Sequence, residues 1–246
     1  MTSQRVKNEI AHGKLLRESW LGKFWYWETR AGKLRWRRRL KMLISHITPD
    51  MEVLEIGCGV GYFTKELIKT DAHVTAVDIS HDLLSVAQEN AHGDKVTFKI
   101  EDACQLSFSD NTFDTIIGSS VLHHLDINRA LGEFSRILKP GGTIYFTEPN
   151  MANIQVFLQK NVPALKKMAG DSPDETAFFR HALRKLLEKY EFKDIHIEPF
   201  DFLHPQTPRL LIRLVRKAGV SLEKIPIIKE MAGSLYIKAS KESAVV

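Results

Sequence analysis

The stretch Val53-Leu54-Glu55-Ile56-Gly57-Cys58-Gly59-Val60-Gly61 limits what this chain can fold into more than any other feature. An apolar, β-prone run passes straight into glycines at alternate positions and then into a helical segment. A backbone that turns this sharply and lets a ligand come close needs residues without a Cβ, so the run predicts a strand, a tight turn and a helix with a nucleotide-like ligand over the turn. The dinucleotide fingerprint Gly-x-Gly-x-x-Gly is not met, because Tyr62 stands where its third glycine belongs, and this disfavours NAD.

The same alternation repeats downstream. β-Prone runs at 52–57, 73–78, 95–100, 113–119 and 142–148 are separated by amphipathic segments at Tyr62–Lys69, His81–Asn90 and Asp126–Leu138, which is the spacing of βα units in a parallel sheet. Two later runs, 193–202 and 234–240, bring the expected strands to seven. The predicted fold class is α/β, a Rossmann-like, mostly parallel sheet with helices on both faces. A chain of 246 residues with 43% hydrophobic and 26% charged residues suits such a domain plus an appendage, and excludes a disordered or membrane-spanning chain. Asp78 ends the second strand about twenty residues after the glycines, where a carboxylate can accept from both hydroxyls of a ribose.

Four motifs now stand in order: E-x-G-C-G-x-G, an acidic residue closing strand two, Glu101-Asp102-Ala103 after strand three, and Leu138-Lys139-Pro140-Gly141-Gly142 before strand five. Together they resemble the class I S-adenosylmethionine-dependent methyltransferases, in the small-molecule group that includes ubiquinone-biosynthesis-like enzymes. The resemblance covers about Met51–Glu148 and implies a seven-stranded sheet whose last strand inserts antiparallel. It also implies S-adenosyl-L-methionine as cofactor and S-adenosyl-L-homocysteine as product. By the same resemblance, Glu55, Gly57, Cys58, Gly59 and Gly61 line its methionine and ribose part, Asp78 binds the ribose, and Ile79 flanks the adenine. Asp102 accepts from the exocyclic amine, the Ala103 amide donates to a ring nitrogen, and Ser119 lies near the methionine moiety. Cys58 and Cys104 are read as small fillers rather than nucleophiles.

His123-His124 follows strand four, on the rim where an acceptor would meet the methyl. A neutral imidazole suits a general base near pH 7, so His123 is the catalytic candidate, as in family members resembling phosphoethanolamine methyltransferases. Two adjacent histidines without further ligands do not make a metal site, and no metal is expected.

Upstream, Trp20 to Ile47 reads as one helix that carries all four tryptophans, Trp20, Trp25, Trp27 and Trp36, beside Tyr26. The resemblance implies a lid over the cofactor. That makes Tyr26 and Trp27, with His124, candidates for touching the acceptor, with packing against the sheet as the competing reading. Arg30, Lys33, Arg35, Arg37, Arg38, Arg39 and Lys41 form a basic run without acids, although the whole chain carries only 35 Lys+Arg against 30 Asp+Glu, a net +5. Such a run serves an anionic substrate, an acidic lipid surface, RNA, or simply solvent.

The expected organisation is therefore a lid at 1–48 and a methyltransferase domain at 49–246, with helical cap insertions at 150–190 and 205–231. Ser172-Pro173-Asp174-Glu175 reads as a capping box opening a helix that runs to about Tyr190. The apolar content of the insertions suggests a roomy pocket for a lipophilic, aromatic or lipid-linked acceptor methylated on O or N. The rivals are a nucleic-acid methyltransferase and a non-catalytic S-adenosylmethionine-binding regulatory protein. Strand four closing on Gly118-Ser119-Ser120-Val121, without the Asn/Asp-Pro-Pro-aromatic signature, argues against nucleic acid. The start MTSQRVKNEI lacks the apolar stretch of a signal peptide, and with two cysteines it suggests a cytoplasmic chain.

Overall fold

The computed structural model describes residues 4–18 and 27–243. Its strands are β1 (Glu52–Ile56), β2 (His73–Asp78), β3 (Val96–Ile100), β4 (Phe113–Ser119), β5 (Leu138–Pro149), β6 (Phe192–Phe200) and β7 (Ser234–Lys241). They form one sheet in the order β3-β2-β1-β4-β5-β7-β6, and β7 runs antiparallel to both its neighbours while the other pairs are parallel. Strand order reverses between β1 and β4, so their carboxyl ends diverge and open a crevice at that rim.

Alternation along the strands divides the apolar residues between two faces. Leu54, Ile56, Ile116, Ile144 and Phe146 pack with Leu131 and Phe134 of α5 (Ile127–Ile137) and with Leu183 and Leu187 of α8 (Arg180–Lys189). Val53, Ile117, Tyr145 and Phe200 pack on the other side with Leu43 of α2 (Arg30–Ile44), Leu67 of α3 (Thr64–Leu67), and Leu84 and Ala87 of α4 (His81–Asn90). Caps start these helices where the sequence supplies them. The side chains of Thr29, Ser80 and Asp126 accept from the amides of Gly32, Leu83 and Arg129.

Three expectations are corrected. The helix expected from Trp20 to Ile47 is α2 alone over Arg30–Ile44, and Trp20 and Trp25 lie outside the described residues. A separate helix, α1 (Gln4–Glu18), precedes it in the polar start of the chain, which carries no clear apolar stripe. Gly13 lets α1 come close to α4, since a Cβ there would stand 2.5 Å from Ser80 Oγ.

The Ser172 box opens no helix. The Ser172 amide donates to Glu175 Oε1 at 2.7 Å, as a capping box requires, but the chain continues as a turn and α8 begins only at Arg180. The Glu175 carboxylate is drawn instead to Lys160, 2.7 Å away on α6 (Ile154–Asn161). The rest of the first insertion is α7 (Pro163–Ala169), and the second holds α9 (Ile212–Leu222) and α10 (Pro226–Lys229).

Three of the seven cations of the basic run are consumed inside the fold, while Arg30, Lys33, Arg37 and Lys41 stay exposed. Arg35 pairs with Asp201 at 2.6 Å, Arg38 grips Glu223 with two bonds of 2.7 and 2.6 Å, and buried Arg39 donates to Ser234 at 2.5 Å. Burial and the neighbouring Arg35 pull the Arg39 pKa down to about 9. These three cations tie α2 to the residue after β6, the end of α9 and the start of β7, so only part of the stretch is the free basic face its composition suggested. Trp36 packs on Phe63 with ring centroids 6.0 Å apart, as the packing reading requires.

Candidate active site

β1 delivers the glycine turn to the crevice, where Gly57, Gly59 and Gly61 all take positive φ (66, 55 and 80°). A Cβ on Gly57 would stand 2.5 Å from Val121 Cγ2, so this glycine lets the turn and the loop after β4 share one wall. Asp78, at the end of β2, holds the turn from below. Its Oδ2 accepts from the Gly59 amide at 2.9 Å and its Oδ1 from the Ser80 amide at 2.8 Å. Burial pushes its pKa up, against those two bonds, and each oxygen keeps a lone pair for a hydroxyl.

Above these groups lies a cavity of about 550 Å³ whose wall includes Gly57, Cys58, Gly59, Asp78, Ile79, Asp102, Ala103, Ser119, Trp27 and His124. Asp102 Oδ1 accepts from the Cys104 amide at 2.9 Å, which fixes its carboxylate at the cavity edge. Three predicted residues stand behind the wall. Glu55 is buried against Thr64, whose hydroxyl donates to it at 2.6 Å, and burial pushes its pKa up to about 8. Gly61 packs its backbone on Ala87 of α4. Tyr26 lies outside the described residues.

His123 is the third, and its expected role as base is corrected here. Its ring is only 5% exposed and is not on the cavity wall. Nδ1 lies 2.7 Å from Glu148 Oε2, while Glu148 Oε1 accepts from the amides of Val121 and Leu122, both at 2.9 Å. His123 thus completes a buried clasp that pins the loop after β4 to the end of β5. Burial, then the neighbouring His124, hold its pKa below the ordinary value, so it stays neutral.

His124 faces the cavity. Its Nδ1 lies 2.9 Å from Glu9 Oε2 on α1 and 3.7 Å from Glu175 Oε1. Burial lowers its pKa, but Glu9, Glu175 and Glu148 more than reverse this and leave it above the ordinary imidazole value. Glu175 is held down at about 2, since His124 and Lys160 outweigh its burial. Arg5 of α1 reaches the carbonyls of His124 and His123. Ligand atoms of His123, His124 and Glu175 fall within 4.8 Å of one another, yet the Lys160 ammonium already sits on that carboxylate, an arrangement that opposes a metal cation.

Sequence reasoning missed Arg5, Val6, Glu9, His12 and Gly13 of α1, all of which line the cavity. Nothing local to a polar helix announces a wall. Glu175 carried a signal that was read as a cap, and Glu148 ends an apolar strand where a buried acid asks for a partner.

A profile for a methyltransferase domain matches residues 54–146. The chain is 30% identical over 157 residues to a demethylmenaquinone methyltransferase from Corynebacterium urealyticum, covering 61% of this chain and 66% of the relative. It is also 30% identical over 186 residues to a demethylmenaquinone methyltransferase from Staphylococcus haemolyticus, covering 67% of this chain and 77% of the relative. A Thermotoga maritima structure described as an S-adenosylmethionine-dependent methyltransferase, possible histamine N-methyltransferase, superposes with a TM-score of 0.67 at 17% identity. That match spans 94% of this chain and 100% of the other and is a likeness of fold.

Proposed function

The chain belongs to the class I S-adenosylmethionine-dependent methyltransferases, and from that premise we propose that it moves a methyl group to a nucleophilic atom of a small, lipophilic, lipid-linked aromatic acceptor. The observation that carries the reading is the convergence of the glycine turn, Asp78 and Asp102 on one cavity whose remaining wall is largely apolar, with Val6, Trp27, Phe63, Leu125 and Ile127. The two demethylmenaquinone relatives support an acceptor of that chemistry.

The residues fit the cofactor. Asp78 offers both carboxylate oxygens to a diol, the glycine amides and Ser119 border the neighbouring space, and Asp102 with the Ala103 amide offers an acceptor beside a donor. Bound there, S-adenosylmethionine supplies a methyl already activated on a sulfonium. The chain's own contribution is to hold the acceptor at about 3–3.5 Å in line and to keep water out, which is worth several orders of magnitude without a metal. In this reading α1 is the lid, within the expected lid at 1–48, and Thr176 brings the first insertion to the cavity wall. His124, in its neutral form above its elevated pKa, is the group placed to take a proton from the acceptor, with Glu9 orienting its ring, and His123 is a positioning residue that holds the loop bearing His124.

The test is formation of S-adenosylhomocysteine and of a mass-shifted product with a panel of demethylated quinones, other aromatic acceptors and polar amines. A lipophilic ring acceptor should be methylated, and turnover confined to polar amines would refute the reading. His124→Ala should lower turnover about 10²–10⁴-fold with cofactor affinity retained. His123→Ala, which leaves Glu148 buried without its partner, should lower the melting temperature.

A further inference from the structure

We propose that the segment 205–231, with the start of α6, docks the end of the sheet that carries the glycine turn onto an anionic phospholipid surface. β5 and β6 both run antiparallel to β7, so they run in the same direction. The segments that follow them therefore emerge at the same end of the sheet as the glycine turn. Hydrogen bonds join these segments: Asn153 donates to the Met231 carbonyl at 2.7 Å, and Gln155 meets His204 at 2.8 Å.

This joined surface is unusually apolar for one that faces water. Leu210 is 94% exposed and Ile227 84%, and Leu214, Ile154 and Phe157 are exposed as well. Leu210 lies in the turn before α9 and Leu214 on its outer side, both exposed, while Ile212, Val215 and Gly219 turn inward against Leu203, Leu34 and Phe202. The large apolar side chains are thus not needed by the core beneath them.

The charges around them select the occupant. Arg209, Arg213, Arg216, Lys217, Lys224 and Lys229 lie in this segment, and among the described residues none of their side chains has an ion-pair or hydrogen-bond partner. Its two acids are neutralised from within the fold, Glu223 by Arg38 at 2.6 Å and Glu230 by Arg180 at 2.9 Å. Exposed leucine and isoleucine interleaved with unpaired cations match an interface of headgroup phosphates over acyl chains, where the apolar groups enter and the cations stay at the phosphates. An RNA surface would ask for stacking aromatics among the cations, and α9 and α10, which carry most of the cations, contain none, the exposed Phe157 lying on α6. No helix among the described residues is long and apolar enough to cross a membrane, so the contact lies in the plane of the surface. Docking in this orientation brings the end of the sheet that carries the glycine turn to the bilayer; its use in taking up an acceptor rests on the reading above, whereas the docking itself does not.

Full-length protein is sedimented with vesicles of phosphatidylcholine alone, and with vesicles in which about a third of the lipid is phosphatidylglycerol. Binding should need the anionic lipid and fall steeply with salt. Arg213→Glu should weaken it about 5- to 30-fold, and Leu210→Ser with Leu214→Ser should weaken it further. Both variants should keep the wild-type melting temperature and affinity for S-adenosylhomocysteine, because these side chains face solvent. Equal binding to both vesicle types, or unaltered binding by both variants, would overturn the proposal. Tighter binding to a single-stranded RNA oligonucleotide than to anionic vesicles would overturn it in favour of a nucleic-acid surface. Because the assay reads partition and not turnover, a failed acceptor screen leaves its outcome unaffected.

Discussion

Replacing Glu9 with glutamine removes one charge from the contact between α1 and the loop after β4 and keeps the acceptor that Ser172 uses at 2.6 Å. The lost pair spans 2.9 Å between Glu9 and His124, whose side chains are only 13% and 21% exposed. A fully exposed ion pair contributes about 0–1 kcal/mol and a covered charge-assisted bond about 1.5–3, so this one is worth about 1–2 kcal/mol, or about 5- to 30-fold in the opening of α1. The sign with pH follows from the two shifts. His124 lies above its ordinary 6.5, so its contribution is complete below that value and is lost as pH rises through the elevated one. Glu9, whose pairing outweighs its burial, lies below its ordinary 4.5, so its contribution is complete above that value and is lost as pH falls through the lowered one. Docking of α1 is therefore strongest between about 4.5 and 6.5, with Glu175 and Glu148 adding negative charge near His124 and with the rings of His12 and His123 tilted against the His124 ring at 6.2 and 4.2 Å. Hydrogen exchange of residues 4–18 reads this directly. Glu9→Gln should raise their exchange about 5- to 30-fold at pH 6 and should abolish the extra exchange the wild type gains above pH 7. Equal protection of α1 in the two proteins at pH 6 would refute the charge-held lid.

Two further outcomes follow from buried groups. Gly57→Ala combines positive φ with a Cβ that meets Val121, at a cost of about 2–5 kcal/mol from strain and overpacking, and Val121→Ala should restore part of the lost melting temperature but not the strain. No loss of melting temperature in the single variant would show that the turn is not packed this tightly. Glu55, with its pKa raised to about 8, gives stability below its ordinary 4.5 that is lost as pH rises through 8, so Glu55→Gln should raise the melting temperature at pH 9 and not at pH 4. The same shift at both pH values would contradict a neutral Glu55.

What could be read from the chain divides along physical lines. Sheet strands announce themselves because each apolar run is short, β-branched and bounded by turn residues, and 73–78 and 113–119 coincide with β2 and β4 residue for residue. The gathering of Gly57, Gly59, Asp78 and Asp102 at one cavity was legible because it depends on backbone geometry and strand ends, which local sequence determines. α1 was not, because its place over the cavity depends on Glu9 and Arg5 meeting groups more than a hundred residues away. The pairing of Arg35 and Arg38 within the basic run was hidden for the same reason, since Asp201 and Glu223 lie far along the chain. His123 and His124 are neighbours with opposite fates, one turned into the clasp around Glu148 and the other to the cavity, and nothing in the dipeptide distinguishes them.

The account stands on the cavity over the glycine turn being the cofactor site, with Asp78 as its ribose acceptor, and calorimetry of S-adenosylhomocysteine on wild type and Asp78→Asn tests this most directly. An asparagine keeps the size but sets an amide NH₂ against a backbone amide now held by carboxylate oxygen at 2.8 or 2.9 Å, and it removes one acceptor for the diol. The predicted result is clear binding to the wild type and affinity weakened about 10²–10³-fold in the variant, from one lost charge-assisted contact and one unpaired donor. Equal affinity in the two proteins, or no binding to the wild type, would contradict the account.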